Sequence, residues 1–466
     1  ITRHIFVSPN LLAMSRDSPP AVSRRTFVAL AGAGVLAGCQ TGSDTDGTPT
    51  ATTPEVVEDG YEHPTPTETP EWDAPTTSPR GSVRTETLVE NLEVPWDIAF
   101  TGTGELFMTE RVGRVLRFDS GEVSEVVQPT DAIDAGSIAP GSDKEPWWVD
   151  GGEGGTLGVA VHPEYPDEQW VYVYYTAGVD GGKENRVVRF DVGANDPAST
   201  EEVLIEGIPA NSYHNGGRIR FGPDDNLWVC TGDAGNGGNA ADLSSLGGKI
   251  LRVTPDGNIP SSNPELGGDR RVFTYGHRNP QGIDWLPSGV PVASEHGPAN
   301  RDEVNVLLPG SDYGWPEVRG VADDPSDEWD TYAQRDDVTP PLVNTGPSVG
   351  WAPTGATFYT GEEVPALRNR FVVGGLISQS VWSVTLTPPG QEVPSLDGGR
   401  RYDADWTHGA YTATAHELLH DELGRVRHVA RSPSGELYAI TSNRDGRAKG
   451  QFPREKDDVL VRLTSV

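Results

Sequence analysis

The chain has 466 residues, with 69 acidic side chains against 36 basic ones, a formal net charge of −33, and 35% hydrophobic residues. Nucleic-acid binding needs a basic footprint and is excluded by this balance. Only five of the basic residues are Lys, and a carboxylate-rich surface of this kind suits high ionic strength, where its self-repulsion is screened, so a salt-adapted source, such as a haloarchaeon, is expected.

In chain order, residues 1–39 read as an upstream extension followed by an export signal. Arg24 and Arg25 precede an apolar run, Phe27 to Ala37, that is too short to span a bilayer. The twin arginine predicts export by that route, and Leu36-Ala37-Gly38-Cys39 is similar to a lipobox, so Cys39 is expected to carry a lipid that anchors the protein on the outer face of the cell membrane. Residues 40–81, rich in Thr, Pro and acids, are expected to be a disordered linker. The second cysteine, Cys230, then has no partner for a disulfide.

Residues 82–466 carry a repeat. A turn with Gly, Pro or Asp leads into a short apolar strand six times: "TGTGELFMTER", "HPEYPDEQWVYVYYT", "GPDDNLWVCTGD", "LPSGVPVASEHG", "LRNRFVVGGL" and "SPSGELYAITSN". No helical period interrupts the copies. The pattern predicts an all-β, six-bladed β-propeller with four-stranded antiparallel blades, whose loops converge on a central channel.

His416-Glu417-Leu418-Leu419-His420 has the H-E-x-x-H form of zinc proteases. Both imidazoles reach one ion only from a helix, and Gly424 would end such a helix within one turn. With no third ligand at the required spacing, the segment is expected to be a polar loop entering the last blade.

Other polar clusters sit at the ends of the repeat strands. "GEGGTLGVAVHPEY", "HNGGRIRFGPD", "SLGGKILRVTPDGNIP", "GHRNPQG", "SEHGPANRDEVN", "DYGWPEV" and "GRVRHVARSPSG" occur in an order that resembles the PQQ-dependent soluble aldose and glucose dehydrogenases, the glucose/sorbosone dehydrogenase family, from "NLEVPWDIAF" to the C-terminus. The resemblance implies oxidation of aldose sugars at C1 to aldonolactones, by hydride transfer to PQQ with calcium as a second cofactor and an artificial or respiratory electron acceptor. It implies that His214 is the base, oriented by Asp233, and that Arg278 faces the quinone oxygens with Asn279 alongside. Arg425 and Arg427 would hold the cofactor carboxylates, suiting bidentate guanidinium geometry. Glu153 would lie on the substrate side. The carbonyls of Gly297 and Pro298 would bind the cofactor calcium, and Glu303, Tyr313 and Asp323 a second calcium. Ile377 stands where the glucose branch of the family has a lysine. Two other classes compete: a sugar- or protein-binding propeller without catalysis, and a calcium-dependent lactonase-type hydrolase. The first leaves the constellation of His214, Asp233 and the arginines without a purpose; the second requires a central cluster of acidic and amide ligands.

Overall fold

The computed structural model describes residues 53–66, 72–119, 121–135, 152–321 and 328–466. The described strands form a propeller of four separate four-stranded antiparallel sheets and one nine-stranded sheet, with a short parallel pair, Val56–Val57 against Ile259–Pro260, outside them. The innermost strands are Pro95–Phe100, Thr156–Val161, Ile219–Phe221, Pro280–Trp285, Pro353–Tyr359 and Val426–Arg431. Each lies beside the next around the axis, and the last returns to the first. Within the nine-stranded sheet a single parallel bridge, Gly355 to His428, joins two antiparallel parts. The ring is closed by pairing Val83–Val89 with the C-terminal strand Leu460–Ser465.

All six repeat copies fall on the second strand of a sheet, from Leu106–Glu110 through Leu437–Thr441. Leu106–Glu110, Leu227–Cys230 and Pro291–Glu295 are buried along their whole length. Their faces both pack on neighbouring sheets, the arrangement that stacked blades require.

A polar cluster closes the axis. Asp97, Arg218 and His428 are each at most 1% exposed. The Arg218 guanidinium pairs with Asp97, and His428 Nδ1 lies 2.6 Å from the same carboxylate oxygen. Asp97 Oδ2 accepts Val159 N at 3.0 Å, and Arg218 Nε donates to Gln281 O at 2.9 Å. A Cβ on Gly355 would run into the His428 ring, which is why glycine stands there. Burial alone would raise the Asp97 pKa, but Arg218 and His428 hold it below the usual carboxylate range.

Two expectations are corrected. The stretches 53–66 and 72–81 are docked on the propeller rather than disordered. Asp59 accepts Ser262 N at 3.1 Å and Arg252 Nη2 at 3.0 Å, Asn369 Nδ2 donates to Asp73 O at 3.0 Å, and Trp72 is buried with its ring 5.3 Å from that of Phe358. The acids and carbonyls that made the stretch look unfoldable serve arginines of the blades, and its one tryptophan supplies the apolar anchor. The H-E-x-x-H segment begins on a strand, Thr412–Leu418. His416 is buried with Nε2 3.0 Å from Ser395 O, while His420 is 60% exposed and sits 2.9 Å from Glu417 Oε1, so the two imidazoles do not converge. Cys39 and both signal arginines lie outside the described residues.

Trp72→Ala is expected to cost about 3–5 kcal/mol, the range for truncating a buried tryptophan, measured by denaturant unfolding at one fixed salt concentration. A change below about 1 kcal/mol would mean that the segment is not docked in solution.

Candidate active site

A cavity of about 730 Å³ opens at one end of the axis. Its walls come from loops that follow different strands, as radial repetition dictates. His214, Glu153, Arg278, Gly297, Arg425 and Arg427 all line it, and Ile377 stands at its rim, 53% exposed.

His214 has φ +59°, a left-handed conformation that costs a non-glycine residue about 1–3 kcal/mol unless neighbours hold it. Three contacts do so. Its backbone N donates to Glu153 Oε2 at 3.0 Å, its carbonyl accepts Ala234 N at 3.0 Å, and its Nδ1 lies 2.7 Å from Asp233 Oδ1. Asp233 is buried behind the imidazole and is itself fixed: Oδ2 accepts Trp315 Nε1 at 2.8 Å and its backbone N donates to Arg278 O at 2.8 Å. A carboxylate on Nδ1 sets the tautomer that leaves Nε2 able to accept a proton.

Arg425 and Arg427 are 4% and 6% exposed and share Asp445, at 2.8 and 3.5 Å. Burial pushes Arg427 down to about 9, against the opposing pull of Asp445. Arg427 Nη1 also donates to Gln281 Oε1 at 3.1 Å, and Trp96 contacts both Arg427 and Arg218, whose guanidiniums lie 5.9 and 4.3 Å from the ring centre. Arg278 Nη1 donates to His296 O at 3.1 Å. Asn279, beside Arg278, is buried: its Oδ1 accepts Gly216 N at 3.0 Å, so it braces the loop after His214, and its Nδ2 lies 3.5 Å from Nδ1 of the cavity-lining His296.

Sequence reasoning missed Trp96, Arg111, Gln281, His296 and Asp302, and the whole loop that carries Asp445, Arg447 and Lys449. The last was foreseeable, since "SNRDGRAKG" directly follows the sixth repeat copy, where every other blade puts polar residues. Arg111 is the least legible. It is buried and donates to Gly154 O at 2.9 Å and to Gly152 O, tying down the "GEGG" loop. Gly152 itself has φ +53° and packs on the Ser212 backbone, where no side chain fits.

The proposed ion ligands fare unequally. Gly297 lines the cavity, whereas Pro298 O accepts Arg301 Nη1 at 3.3 Å. Asp302 lies beside them with its oxygens on Gly297 N, Trp351 N and Ala352 N, and burial lifts it to about 6. Two of the residues expected at the second ion site, Glu303 and Tyr313, share one neighbour. Tyr332 OH stands between them, 2.9 Å from Glu303 Oε1 and 3.1 Å from Tyr313 O. Burial, then Glu295, raises Glu303 to about 8, so with no ion beside it the carboxyl is mainly protonated at pH 7. Asp323 lies outside the described residues. Among the described residues no three carboxylate, imidazole or thiol groups converge as a metal site.

Comparison with known proteins agrees with this geometry. Residues 92–451 match the family model described as Glucose / Sorbosone dehydrogenase. The chain is 27% identical over 398 residues to aldose sugar dehydrogenase YliI of Escherichia coli, covering 82% of this chain and 95% of that one. It is 29% identical over 320 residues to quinoprotein glucose dehydrogenase B of Acinetobacter calcoaceticus, covering 61% and 64%. The PQQ-bound aldose sugar dehydrogenase of Streptomyces coelicolor superposes with a TM-score of 0.64 at 30% identity, over 84% of this chain and all of that one.

The state of Glu303 is testable. A carboxyl raised above its unfolded value keeps its proton in the fold but loses it on unfolding above about pH 4.5, so wild-type stability falls from there to about pH 8. Glu303→Gln mimics the protonated form. Its stability relative to wild type should therefore rise over that interval, read from denaturant midpoints at several pH values. A variant that loses stability, and with it a calcium-dependent shift of the midpoint, would instead make Glu303 an ion ligand.

Proposed function

Given that the chain belongs to the glucose/sorbosone dehydrogenase family, we propose that this sugar oxidoreductase removes a hydride from C1 of an aldose with PQQ as acceptor, yielding an aldonolactone. The observation that carries the reading is the His214–Asp233 pair, at 2.7 Å, in the wall of a cavity that also gathers Arg278, Arg425 and Arg427. PQQ, when bound, supplies an electrophilic quinone carbonyl. Its anionic carboxylates suit a donor set of guanidiniums, which bind carboxylates bidentately. The chain's own residues do the rest. His214 Nε2 takes the proton of the C1 hydroxyl, Asp233 stabilises the imidazolium that forms, and Arg278 offers positive charge where negative charge accumulates. Repeated turnover would require an external electron acceptor to regenerate the cofactor.

The reading includes calcium at the carbonyls of Gly297 and Pro298, on the condition that Arg301 withdraws from Pro298 O; no step is assigned to the ion. It includes six blades, a count supported by the ring of innermost strands and by treating the Gly355–His428 bridge as a seam between two blades. It also includes twin-arginine export and lipid anchoring through Cys39 in a salt-adapted organism, which rest on sequence alone.

His214→Gln keeps a polar side chain but cannot take the hydroxyl proton, so kcat is expected to fall by roughly 10² to 10⁴ while the Kd for PQQ changes little. Arg425→Ala should behave in the opposite way, with PQQ affinity weakened and turnover partly recovered at saturating cofactor. A PQQ titration of each apo-variant, followed by aldose-dependent dye reduction, separates the two. A His214→Gln protein within a few-fold of wild type would sink the assignment of the base. Stripping the wild type with a chelator and reloading it with PQQ, with and without calcium, tests the ion: equal activity in both samples would remove calcium from the reading.

A further inference from the structure

Resting on the reading of His214 as the base, we propose that Glu153 is a positioning residue. Clamped by Arg447, it holds the His214 backbone in its left-handed turn instead of contacting the sugar.

Both carboxylate oxygens of Glu153 are committed. Oε2 accepts His214 N at 3.0 Å, and Oε1 lies 2.6 Å from Arg447 Nη1. The side chains of the pair are 23% and 21% exposed. Burial would raise the Glu153 carboxyl, but Arg447 and the His214 N–H more than offset it and bring it down to about 2, so it stays an anion through the working range. Its own segment is held from both sides, by Glu153 N donating to Ser212 O at 2.8 Å and by Arg111 on the carbonyls of Gly152 and Gly154.

An L-residue at φ +59° relaxes to an extended or right-handed backbone unless its N–H and C=O are held. Ala234 holds the carbonyl of His214 and Asp233 its ring, and among the described residues only Glu153 receives its N–H. If that bond is lost, the imidazole swings about its Asp233 contact, and a misplacement of about 1 Å costs on the order of 10²-fold in rate. Arg447 comes from the loop whose Asp445 holds Arg425 and Arg427, and Arg447 N donates to Asp445 Oδ1 at 3.0 Å. One loop therefore orients the base and the cofactor arginines together.

The test uses the full chain. In Glu153→Ala, the single-turnover rate of aldose-dependent PQQ reduction should fall roughly 10- to 100-fold, with the KM for aldose and the Kd for PQQ within about 3-fold of wild type. Glu153→Gln, which keeps an oxygen for His214 N, should recover most of the rate. In the apo-protein labelled with [15N]histidine, the resonance of the His214 Nδ1 proton bonded to Asp233 is assigned by its loss in His214→Gln. It should shift or broaden in Glu153→Ala and return in Glu153→Gln. A large rise in KM at unchanged kcat would make Glu153 a sugar contact and overturn the proposal, as would a His214 resonance that is the same in all three proteins. Wild-type protein that reduces no PQQ with any aldose would instead defeat the dehydrogenase reading, and the spectra of the apo-protein would still decide whether Glu153 positions His214.

Discussion

The inner strands converge so closely that their buried polar groups meet directly, and the Asp97–Arg218–His428 cluster is what makes this convergence tolerable. A buried charge pair gains little over an apolar isostere, but either member left alone is strongly destabilising. Here each partner is also bonded to another inner strand, through Val159 N and Gln281 O, and the cluster therefore fixes the mutual rotation of the sheets. Arg218 and Arg427 both pack on the Trp96 ring, and Arg427 in turn donates to Gln281. The floor of the cavity is in this way an outgrowth of the axis, and catalytic geometry is inherited from the way the fold is closed.

Charge is distributed against the average. A chain with a net charge of −33 places Arg111, Arg278, Arg425, Arg427, Arg447 and Lys449 around one cavity, faced by Glu153, Asp302 and Asp445. Enclosed walls focus the field, and salt screens it less than at the surface. An anionic cofactor would be drawn from a repelling exterior into an attracting interior, and the acidic exterior discourages other polyanions. Lys449, clamped through its backbone to Gln379, sits on the rim near Ile377 and brings a positive charge to the edge of the cavity where Ile377 has none.

The fold was legible because its repeat is written in turns. The six copies mark second strands, since a tight turn after each first strand demands Gly, Pro or Asp, whatever the blade. What the copies did not convey is burial on both faces, which alternation cannot express. In the site, His214, Asp233 and the three arginines were readable from motif order, and the structure brings them together. The bracing role of Asn279 was not legible because an amide next to a cavity arginine has the same letters whether it faces the cavity or holds a loop from behind. The raised pKa of Glu303 was not legible for a related reason: a carboxylate in sequence is an anion by default, and only its surroundings of Glu295 and Tyr332 alter that. The docked segment before residue 82 was hidden by composition. Its few apolar groups cannot make a core alone, but Trp72 needs only a vacancy in someone else's.

The pairing of Val83–Val89 with Leu460–Ser465 has a consequence for how the protein is made. Translation delivers the first of these strands early and holds it without its partner until nearly the whole chain has emerged. Sheets in the middle of the chain can form as they leave the ribosome, but the circle is completed only once the last strand has emerged, by a contact between strands far apart in sequence. Such long-range closure is slow, and it leaves an unpaired edge waiting throughout synthesis. The exposed charges along that early strand, Arg84, Glu86 and the neighbouring Glu90, then act during biosynthesis as a guard against pairing with the same strand of another nascent chain.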